Sequence, residues 1–560
     1  MLNTKIISSL EKVFVDESID SFDRLESISA LRGERLSFQL IAKISDLTVA
    51  RRQDVTVTPI GDLAEYMTVR SVDHTAVPTP IITSEPGFEP YDSNYLRCEC
   101  GLYPDVLSPL SGNTAYFTSN QLLSLWVDIE IPKNAEAGKH TVGLRLDAFR
   151  EGKVFEDTLE VEVIGATLPK QKTYLTQWFH SDCLANYYGV PAWSERHWQI
   201  VENFIKAAAR NGINMILTPV FTPALDTAIG GERLTVQLVK VTKRSGKYSF
   251  NFKLLDRWIE ICDRAGIKYF EIAHLSTQWG AKHAPKIMAT VDGEYKKIFG
   301  WETGSLEEEY VEFLRSFLKA FIRHMKKRGD DKRCYFHISD EPQLADIENY
   351  KNVKAAIADI LKDYPVMDAM SHIEYYNDGI TRMPIPSSRK VQTFIDAKIP
   401  GLWTYYSCTG RVGVSNRFMA MPSWRNRSIG MQMYKGGVVG FLQWGFNFYS
   451  TGHSVGEVNP YLDASATHAF PAGDSFSVYP ATNGDALDSV RIVIFHEALQ
   501  DIRAMQLCEK YYKKEEIVAA IENSLGRAID FTVCATSAKE MLGVRETVNG
   551  MIKKALEGKQ

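Results

Sequence analysis

The sequence predicts an α/β protein in which a TIM-type (β/α)8 barrel follows an all-β sandwich. Up to residue 168, short segments alternate apolar and polar residues, and Gly, Pro, Asn and Asp separate them. From residue 169 to residue 512, strand-like segments alternate with amphipathic helices, which is typical of a parallel sheet. The last stretch, 513–560, is predicted to be a helical extension that packs on the barrel.

The sandwich prediction depends on five segments with a period of two residues. They are 35–44, 53–60, 122–132, 139–148 and 157–165. Short strands with frequent turn residues are typical of two sheets packed face to face. We expect no helix in this region beyond a single turn near 63–66.

The barrel prediction depends on eight strand–helix units. The strands are expected at 174–180, 213–219, 267–274, 334–342, 366–373, 401–407, 438–446 and 476–480. The helices are expected near 194–211, 254–266, 305–328, 344–363, 388–397, 425–436 and 489–512. Two segments between 234 and 252 are predicted to form a hairpin insertion. Eight units favour a closed barrel over an open doubly wound sheet, and no GxGxxG turn follows any strand.

The composition excludes several classes of protein. The 560 residues carry 64 Lys and Arg against 69 Asp and Glu, so the charge balance predicts no nucleic-acid partner. No window approaches the roughly 20 apolar residues that cross a membrane, and no secretory apolar core follows the start, so we expect a cytoplasmic protein. The eight cysteines lack a CxxC spacing and are expected to be reduced. Without HExxH, GxSxG or a P-loop, we predict no metal, no cofactor and no serine nucleophile.

Candidate site residues follow from the strand ends, because barrel active sites lie at the carboxyl ends of the strands. Trp and Tyr end several strands, and carboxylates, amides and His accompany them. Aromatic faces stack on sugar rings and polar groups bind hydroxyls, so this mixture predicts a carbohydrate pocket. The predicted substrate-binding residues are His180, Asp182, His274, Trp279, Trp403, Tyr405, Tyr406, Trp444 and Asn447.

Other interpretations of these residues stay open. His180 and Asp182 could be a loop hydrogen-bond pair, and Trp444 and Asn447 could pack the top of the barrel. Only one of the adjacent Tyr405 and Tyr406 can face the barrel axis, because side chains alternate along a strand.

The predicted catalytic residues are the adjacent Asp340 and Glu341, which directly follow an apolar strand. Conventional glycosidases place two carboxyl groups about 5 Å apart for retention and roughly 6.5–9.5 Å apart for inversion. Substrate-assisted enzymes are the exception, because a group of the substrate itself attacks. Adjacent acids fit that exception: one would orient a 2-acetamido group and the other would protonate the leaving oxygen.

Four segments in this order resemble glycoside hydrolase family 123. They are LWVDIEIPKNAEAGKHTVGLRL (125–146), CYFHISDEP (334–342), GFLQWGFNFY (440–449) and SVYPATNGDALDSVRIVIFHEALQDIRAM (477–505). The resemblance implies a β-N-acetylgalactosaminidase with a retaining, substrate-assisted mechanism, in which Asp340 stabilises the acetamido group and Glu341 is the general acid/base. The missing secretory signal is unlike relatives that degrade extracellular glycans, and it predicts a small oligosaccharide or glycoside as the binding partner.

One segment departs from the family pattern. Residues 496–501 read HEALQD where many relatives have a more acidic run, and we interpret this as drift on an outer helix. A glycosidase for a sugar without an acetamido group, and a non-catalytic carbohydrate-binding barrel, remain the alternatives. The oligomeric state is not predicted.

Overall fold

The computed structural model describes residues 2–44, 52–82, 91–148 and 153–558. In its first part the described residues form ten strands. They are β1 (Leu2–Ser8), β2 (Ser27–Arg32), β3 (Arg35–Ile44), β4 (Arg52–Gly61), β5 (Met67–Val77), β6 (Gly101–Pro109), β7 (Thr114–Thr118), β8 (Leu122–Glu130), β9 (Gly138–Ala148) and β10 (Lys153–Thr167). The five predicted strands are present as β3, β4, β8, β9 and β10, so the region is β-rich, as expected.

These strands form two five-stranded sheets in the orders β1-β3-β8-β5-β6 and β2-β10-β9-β4-β7. Side chains from both sheets share one apolar core: Phe38 and Leu125 come from the first sheet, Val57 and Leu144 from the second. All four are buried, so each sheet hides one face against the other.

The other five strands were not predicted, and β1 shows one reason. In β1, the neighbouring Ile6 and Ile7 are both fully buried. Ile6 belongs to the core between the sheets, and Ile7 packs with Val13 and Ile41 in a separate small cluster. A strand buried on both faces has no period of two, which hides it from pattern analysis.

The second part of the chain contains a six-stranded parallel sheet in the order β18-β15-β12-β11-β22-β21. β19 and β20 form a separate two-stranded parallel sheet. The strands are β11 (Tyr174–Gln177), β12 (Met215–Thr218), β13 (Lys240–Arg244), β14 (Lys247–Asn251), β15 (Tyr269–Ile272), β16 (Ile287–Val291), β17 (Glu294–Phe299), β18 (Cys334–Phe336), β19 (Met367–Ala369), β20 (Met383–Ile385), β21 (Trp403–Tyr405), β22 (Gly440–Gln443), β23 (Val478–Pro480) and β24 (Ala486–Asp488).

Single parallel bridges join the two sheets at both ends: Phe336 pairs with Val366, and Ser387 pairs with Tyr405. The predicted strand at 476–480 is wrong as a member of the parallel set, because β23 pairs antiparallel with β24. The unpredicted β20 is parallel instead. It has only three residues, too few to show a period, and its middle residue is Pro384.

Helices lie between most of the parallel strands. They are α1 (Ser181–Tyr187), α2 (Glu195–Arg210), α3 (Lys253–Ala265), α4 (Glu308–Arg328), α5 (Ile347–Ala355), α6 (Ala358–Leu361), α7 (Glu374–Asn377), α8 (Val391–Asp396), α9 (Ser423–Gly436), α10 (Val490–Cys508), α11 (Lys514–Leu525) and α12 (Ala538–Glu557). The predicted helix at 344–363 is broken into α5 and α6. The predicted hairpin is β13–β14, and it joins β16 and β17 in a four-stranded sheet. Nowhere in the described ranges is a helix both long and apolar enough for a membrane crossing.

Helix α10 is buried on almost all sides, so its interpretation as an outer helix is wrong. Arg427 of α9 binds both Glu497 and Asp501, at 2.6 and 2.8 Å. Arg545 of α12 then bridges Asp501 and Glu34, at 2.9 and 2.6 Å. This buried chain of ion pairs ties the β-rich region and the C-terminal helix to the middle of the chain.

Candidate active site

A cavity of about 630 Å³ opens at the carboxyl ends of the parallel strands, which is a typical size for a small-ligand site. Five of the residues that the sequence predicts for the site line it: Trp279, Asp340, Glu341, Tyr405 and Trp444. Further lining residues that the sequence analysis did not select include Ile82, Trp178, Asp226, Arg411, His453, His468 and Phe470.

Asp340 and Glu341 lie on the turn that follows β18, and both are partly exposed to the cavity. Glu341 has a φ of 45°, a left-handed conformation that residues other than glycine rarely adopt. The backbone N–H of Trp279 donates to the carbonyl oxygen of Asp340 at 2.8 Å. The two carboxyls are therefore presented from a strained turn that its neighbours hold in place.

The two carboxyls have different hydrogen-bond surroundings. The Tyr405 hydroxyl donates to Oε1 of Glu341 at 2.5 Å. Among the described residues, no group donates to the Asp340 carboxylate. Burial raises the pKa of both carboxyls; the Glu341 charge raises that of Asp340 further, whereas the Tyr405 hydrogen bond opposes the rise at Glu341. Both carboxyls therefore keep their protons to higher pH than an exposed carboxyl does.

Backbone strain is concentrated around the cavity. Five of its lining residues are non-glycine residues with a positive φ: Asp226 (41°), Trp279 (59°), Glu341 (45°), His453 (59°) and His468 (65°). Each such conformation costs about 1–3 kcal/mol and persists only where the surroundings enforce it. Strain of this kind clusters at functional sites, which supports the cavity as the site.

Trp444 forms one wall of the cavity, and its orientation is fixed by Asp474. The indole Nε1 donates to Oδ2 of Asp474 at 3.1 Å. The ring also packs against Phe448 and Phe470, with centroids 5.0 and 4.8 Å away. Burial raises the pKa of Asp474 to about 6, while the nearby Arg417 opposes the shift. The arrangement presents a rigid aromatic surface that a sugar ring could stack on.

His180, Asp182 and Asn447, which were predicted to bind substrate, do not line the cavity. Arg233 binds both oxygens of Asp182, at 2.7 and 2.8 Å, and donates to Nδ1 of His180 at 3.0 Å. Nε2 of His180 therefore carries the proton and donates to the carbonyl oxygen of Trp444 at 2.9 Å. Asn447 bonds both the N–H and the carbonyl oxygen of His180. These residues support the aromatic wall from behind, which corresponds to the loop-pair interpretation.

His274 and Trp403 also lie outside the cavity wall, contrary to prediction. His274 is buried beneath it, stacked on His337 at 4.3 Å, and neither of its ring nitrogens has a partner among the described residues. Trp403 begins β21, at the end of the strand far from the cavity, and stacks on Tyr174 at 5.3 Å. A strand with an aromatic residue at each end presents only the carboxyl-end residue to the site.

The choice between the two adjacent tyrosines is clear in the structure. Tyr405 lines the cavity, whereas Tyr406, which was also predicted to bind substrate, points to the opposite side and does not line it. The Tyr406 hydroxyl donates to Oδ1 of Asn426 at 3.0 Å, and its ring packs on Phe441 and Phe495. Alternation along the strand separates them, as expected.

The β-rich region reaches the cavity, a point that the sequence left open. Ile82 lines it, and the carbonyl oxygen of Ile82 accepts from Arg411 at 3.4 Å. The hydroxyl of Thr79 contacts Nδ1 of His468. No local motif marks these residues, because each enters the site from a long connection. Trp178 also lines the cavity but differs from these residues, because it lies near the end of a predicted strand and that position marks it in the sequence.

One group of described side chains brings together metal-type ligands. Atoms of His274, His337 and Asp368 lie within 4.8 Å of one another in the buried interior. Both ring nitrogens of His337, however, already contact carboxylates, Asp368 at 3.0 Å and Glu271 at 2.7 Å. A metal would have to displace one of these contacts, so the group is better described as a hydrogen-bonded cluster.

Comparisons with known proteins are specific for one family. The family model "Glycoside hydrolase 123, catalytic domain" matches residues 178–508. A solved family 123 glycoside hydrolase from Clostridium perfringens, described in connection with glycolipid glycan hydrolysis, is similar at 15% identity and a TM-score of 0.73, covering 100% of this chain and 98% of that one. A Parabacteroides merdae β-glucuronidase (11% identity, TM-score 0.31, 90% and 51% covered) and a Thermotoga petrophila endo-β-1,4-mannanase (10%, 0.33, 60% and 77%) are far more distant. No curated protein matched.

Proposed function

This chain belongs to glycoside hydrolase family 123, and from that membership we propose that it removes terminal β-linked N-acetylhexosamine, with N-acetylgalactosamine favoured, from a small oligosaccharide or glycoside. The observation that carries the proposal is the adjacent Asp340 and Glu341 on a strained turn inside a cavity with aromatic walls. Glycosidases are the enzymes in which such a combination of carboxyls and aromatic rings is expected.

The adjacency of the two acids favours substrate assistance. In the first step, the carbonyl oxygen of the 2-acetamido group attacks the anomeric carbon while the bond to the leaving oxygen breaks. Glu341 gives its proton to that oxygen, and Asp340 accepts a hydrogen bond from the amide N–H of the resulting oxazolinium ion. In the second step, water attacks the anomeric carbon, the bond from that carbon to the acetamido oxygen breaks, and Glu341 takes a proton from the water. The acetamido group is regenerated and the β-configuration is restored.

This mechanism needs Glu341 protonated and Asp340 ionised. An acetamido substrate would favour that combination. Its N–H would donate to Asp340 and stabilise the ionised form, and its carbonyl oxygen would compete with Glu341 for the Tyr405 hydroxyl. The acetamido group would therefore prepare the catalytic ionisation state as well as supply the nucleophile.

We expect Tyr405→Phe to lower kcat/KM by roughly 10- to 100-fold, because the variant loses the hydroxyl that bonds Glu341 and would orient the attacking acetamido carbonyl. Tyr406→Phe is the matched control, because the Tyr406 hydroxyl bonds Asn426 and its ring packs on Phe441, away from the cavity. It should stay within about 3-fold of the parent. Steady-state kinetics of the two variants side by side check this, and equal losses would contradict the role of Tyr405.

We also propose that the eight parallel strands act as one closed (β/α)8 barrel. The support is the pair of single bridges that link the six-stranded and two-stranded sheets at both ends. We keep the division into a sandwich at 1–168, a barrel at 169–512 and a helical extension at 513–560. The cavity would then lie at the mouth of the barrel.

A second candidate is a glycosidase for a sugar without an acetamido group. The observation that favours it is a third carboxylate, Asp226, which also lines the cavity. The backbone N–H of His453 donates to Oδ2 of Asp226 at 3.0 Å, so its orientation is fixed. Paired with Glu341, Asp226 would supply the separated carboxylates of a conventional mechanism.

Release of nitrophenol from three 4-nitrophenyl β-glycosides tests the choice. We expect turnover of the N-acetylgalactosaminide, less of the N-acetylglucosaminide and essentially none of the galactoside, because only the first two carry the attacking group. Efficient cleavage of the galactoside would contradict substrate assistance and favour the second candidate. Sugar binding without any turnover would instead indicate a carbohydrate-binding protein.

A further inference from the structure

Two neighbouring residues of β19 hold the strained turn that carries the acid pair. The buried carboxylate of Asp368 accepts hydrogen bonds from the backbone N–H groups of Ile338, at 3.0 Å, and Ser339, at 3.3 Å. The carbonyl oxygen of Ala369 accepts from the N–H of Glu341 at 3.0 Å. The turn is therefore anchored on both sides of Asp340 by one short strand.

His337 supplies the positive charge that Asp368 needs in the interior. Its Nδ1 lies 3.0 Å from Oδ1 of Asp368, and its Nε2 lies 2.7 Å from Oε1 of Glu271. Ionised carboxylates only accept hydrogen bonds, so both ring nitrogens must donate and the ring must be an imidazolium. Burial opposes the charge, but the two carboxylates outweigh burial and raise the pKa of His337 to about 10.

The remaining oxygens of the two carboxylates are occupied as well. The Tyr350 hydroxyl donates to Oδ2 of Asp368 at 2.5 Å. Glu271 accepts from Nε1 of Trp178 at 2.6 Å and from the Thr176 hydroxyl at 2.5 Å. Each oxygen of the two carboxylates thus has a donor, and the imidazolium balances one of the two negative charges. A buried network of this kind is rigid only while every member is satisfied.

We propose that Asp368 is a positioning residue: with His337 it holds the turn so that the Glu341 carboxyl is aimed at the glycosidic oxygen. An uncharged residue at 368 would offer fewer acceptor sites to the same donors. The left-handed conformation of Glu341 would then be free to relax. The inference rests on the proposed function, because that function makes Glu341 the catalytic acid. The hydrogen bonds that hold the turn do not depend on it.

The test compares Asp368→Asn with Asp488→Asn. Asp488 is also buried and accepts from Arg70, Arg210 and Asn211 at 2.8–2.9 Å, but it does not line the cavity. We expect Asp368→Asn to lower kcat by roughly 100-fold, because a displacement of about 1 Å has that effect, with KM changed less than about 3-fold. Asp488→Asn should lose thermal stability but keep kcat within about 3-fold. Equal losses of kcat would overturn the proposal.

A second arm asks whether Asp368 acts through Glu341. In the Glu341→Gln background, the effect of Asp368→Asn on kcat should shrink below about 3-fold, since coupled residues are not additive. An undiminished effect would overturn the proposal.

If Asp368→Asn does not fold, Tyr350→Phe provides a second variant, because it removes one donor from the same carboxylate. It should lower kcat several-fold without raising KM. An unchanged kcat would count against the proposal.

Amide proton chemical shifts of the ligand-free protein test how the turn is held, independently of the reaction. The amide protons of Ile338 and Ser339 bond a carboxylate, so their resonances should lie downfield and move upfield in Asp368→Asn. Unmoved resonances would overturn the positioning role. If the resonances move but Glu341→Gln is fully active, the conclusion that Asp368 anchors the turn stands, and the proposed catalytic role of Glu341 is rejected.

Discussion

Glu341→Gln should lower kcat by roughly 10²- to 10⁴-fold, the range that general acid catalysis contributes. Gln keeps the length of the side chain and can still accept the Tyr405 hydrogen bond, but it cannot give a proton to the leaving oxygen. The loss should be larger for an alkyl glycoside than for a nitrophenyl glycoside of the same sugar, because nitrophenolate leaves with little protonation. Steady-state kinetics on the two substrates measure this difference, and equal losses would show that Glu341 does not protonate the leaving group.

The stability of the variant provides the control for folding. Burial raises the pKa of Glu341, so the folded state loses stability as pH rises from the ordinary carboxyl pKa towards the raised one. Above that pH range Glu341 is ionised, and the folded state bears the full free-energy cost of burying its charge. The neutral amide of Gln removes that cost. At pH 7, Glu341→Gln should therefore unfold at a temperature no lower than the parent.

Asp340→Asn should lower kcat on N-acetylhexosaminides by roughly 10²- to 10³-fold, as expected for the loss of one group that stabilises developing charge. The Asn oxygen can accept the amide N–H, but it brings no negative charge to the oxazolinium ion. Binding of a cationic analogue of that ion should weaken in parallel with kcat, and isothermal titration measures it. Unchanged affinity for the analogue would contradict this role of Asp340.

The pH dependence assigns the two roles. In the parent, protonation of Asp340 should end activity at low pH, and loss of the Glu341 proton should end it at high pH. Asp340→Asn should remove the acid limb of the profile, and Glu341→Gln should remove the basic limb. If both variants kept both limbs, other groups would be responsible.

Parts of the site could be predicted because they depend on short-range pattern. Asp340 and Glu341 follow a strand that its apolar residues identify, and strand ends of a parallel sheet meet at one edge. Trp279, Tyr405 and Trp444 were found on the same signal. The same signal also selected His180 and Trp403, which do not line the cavity. His180 lies behind Trp444, and Trp403 lies at the opposite end of its strand.

The sequence by itself determined the β-rich first part, most of the parallel strands, the family and the acid pair, since each is written in consecutive residues. Only the tertiary structure decided that Tyr405 and not Tyr406 faces the cavity, that Asp226 and Ile82 enter it, and that β20 replaces the segment at 476–480 among the parallel strands. It also decided that Asp368 and His337 anchor the turn. These features depend on contacts between residues far apart in the chain, and burial and hydrogen bonding between such residues leave no local period to read.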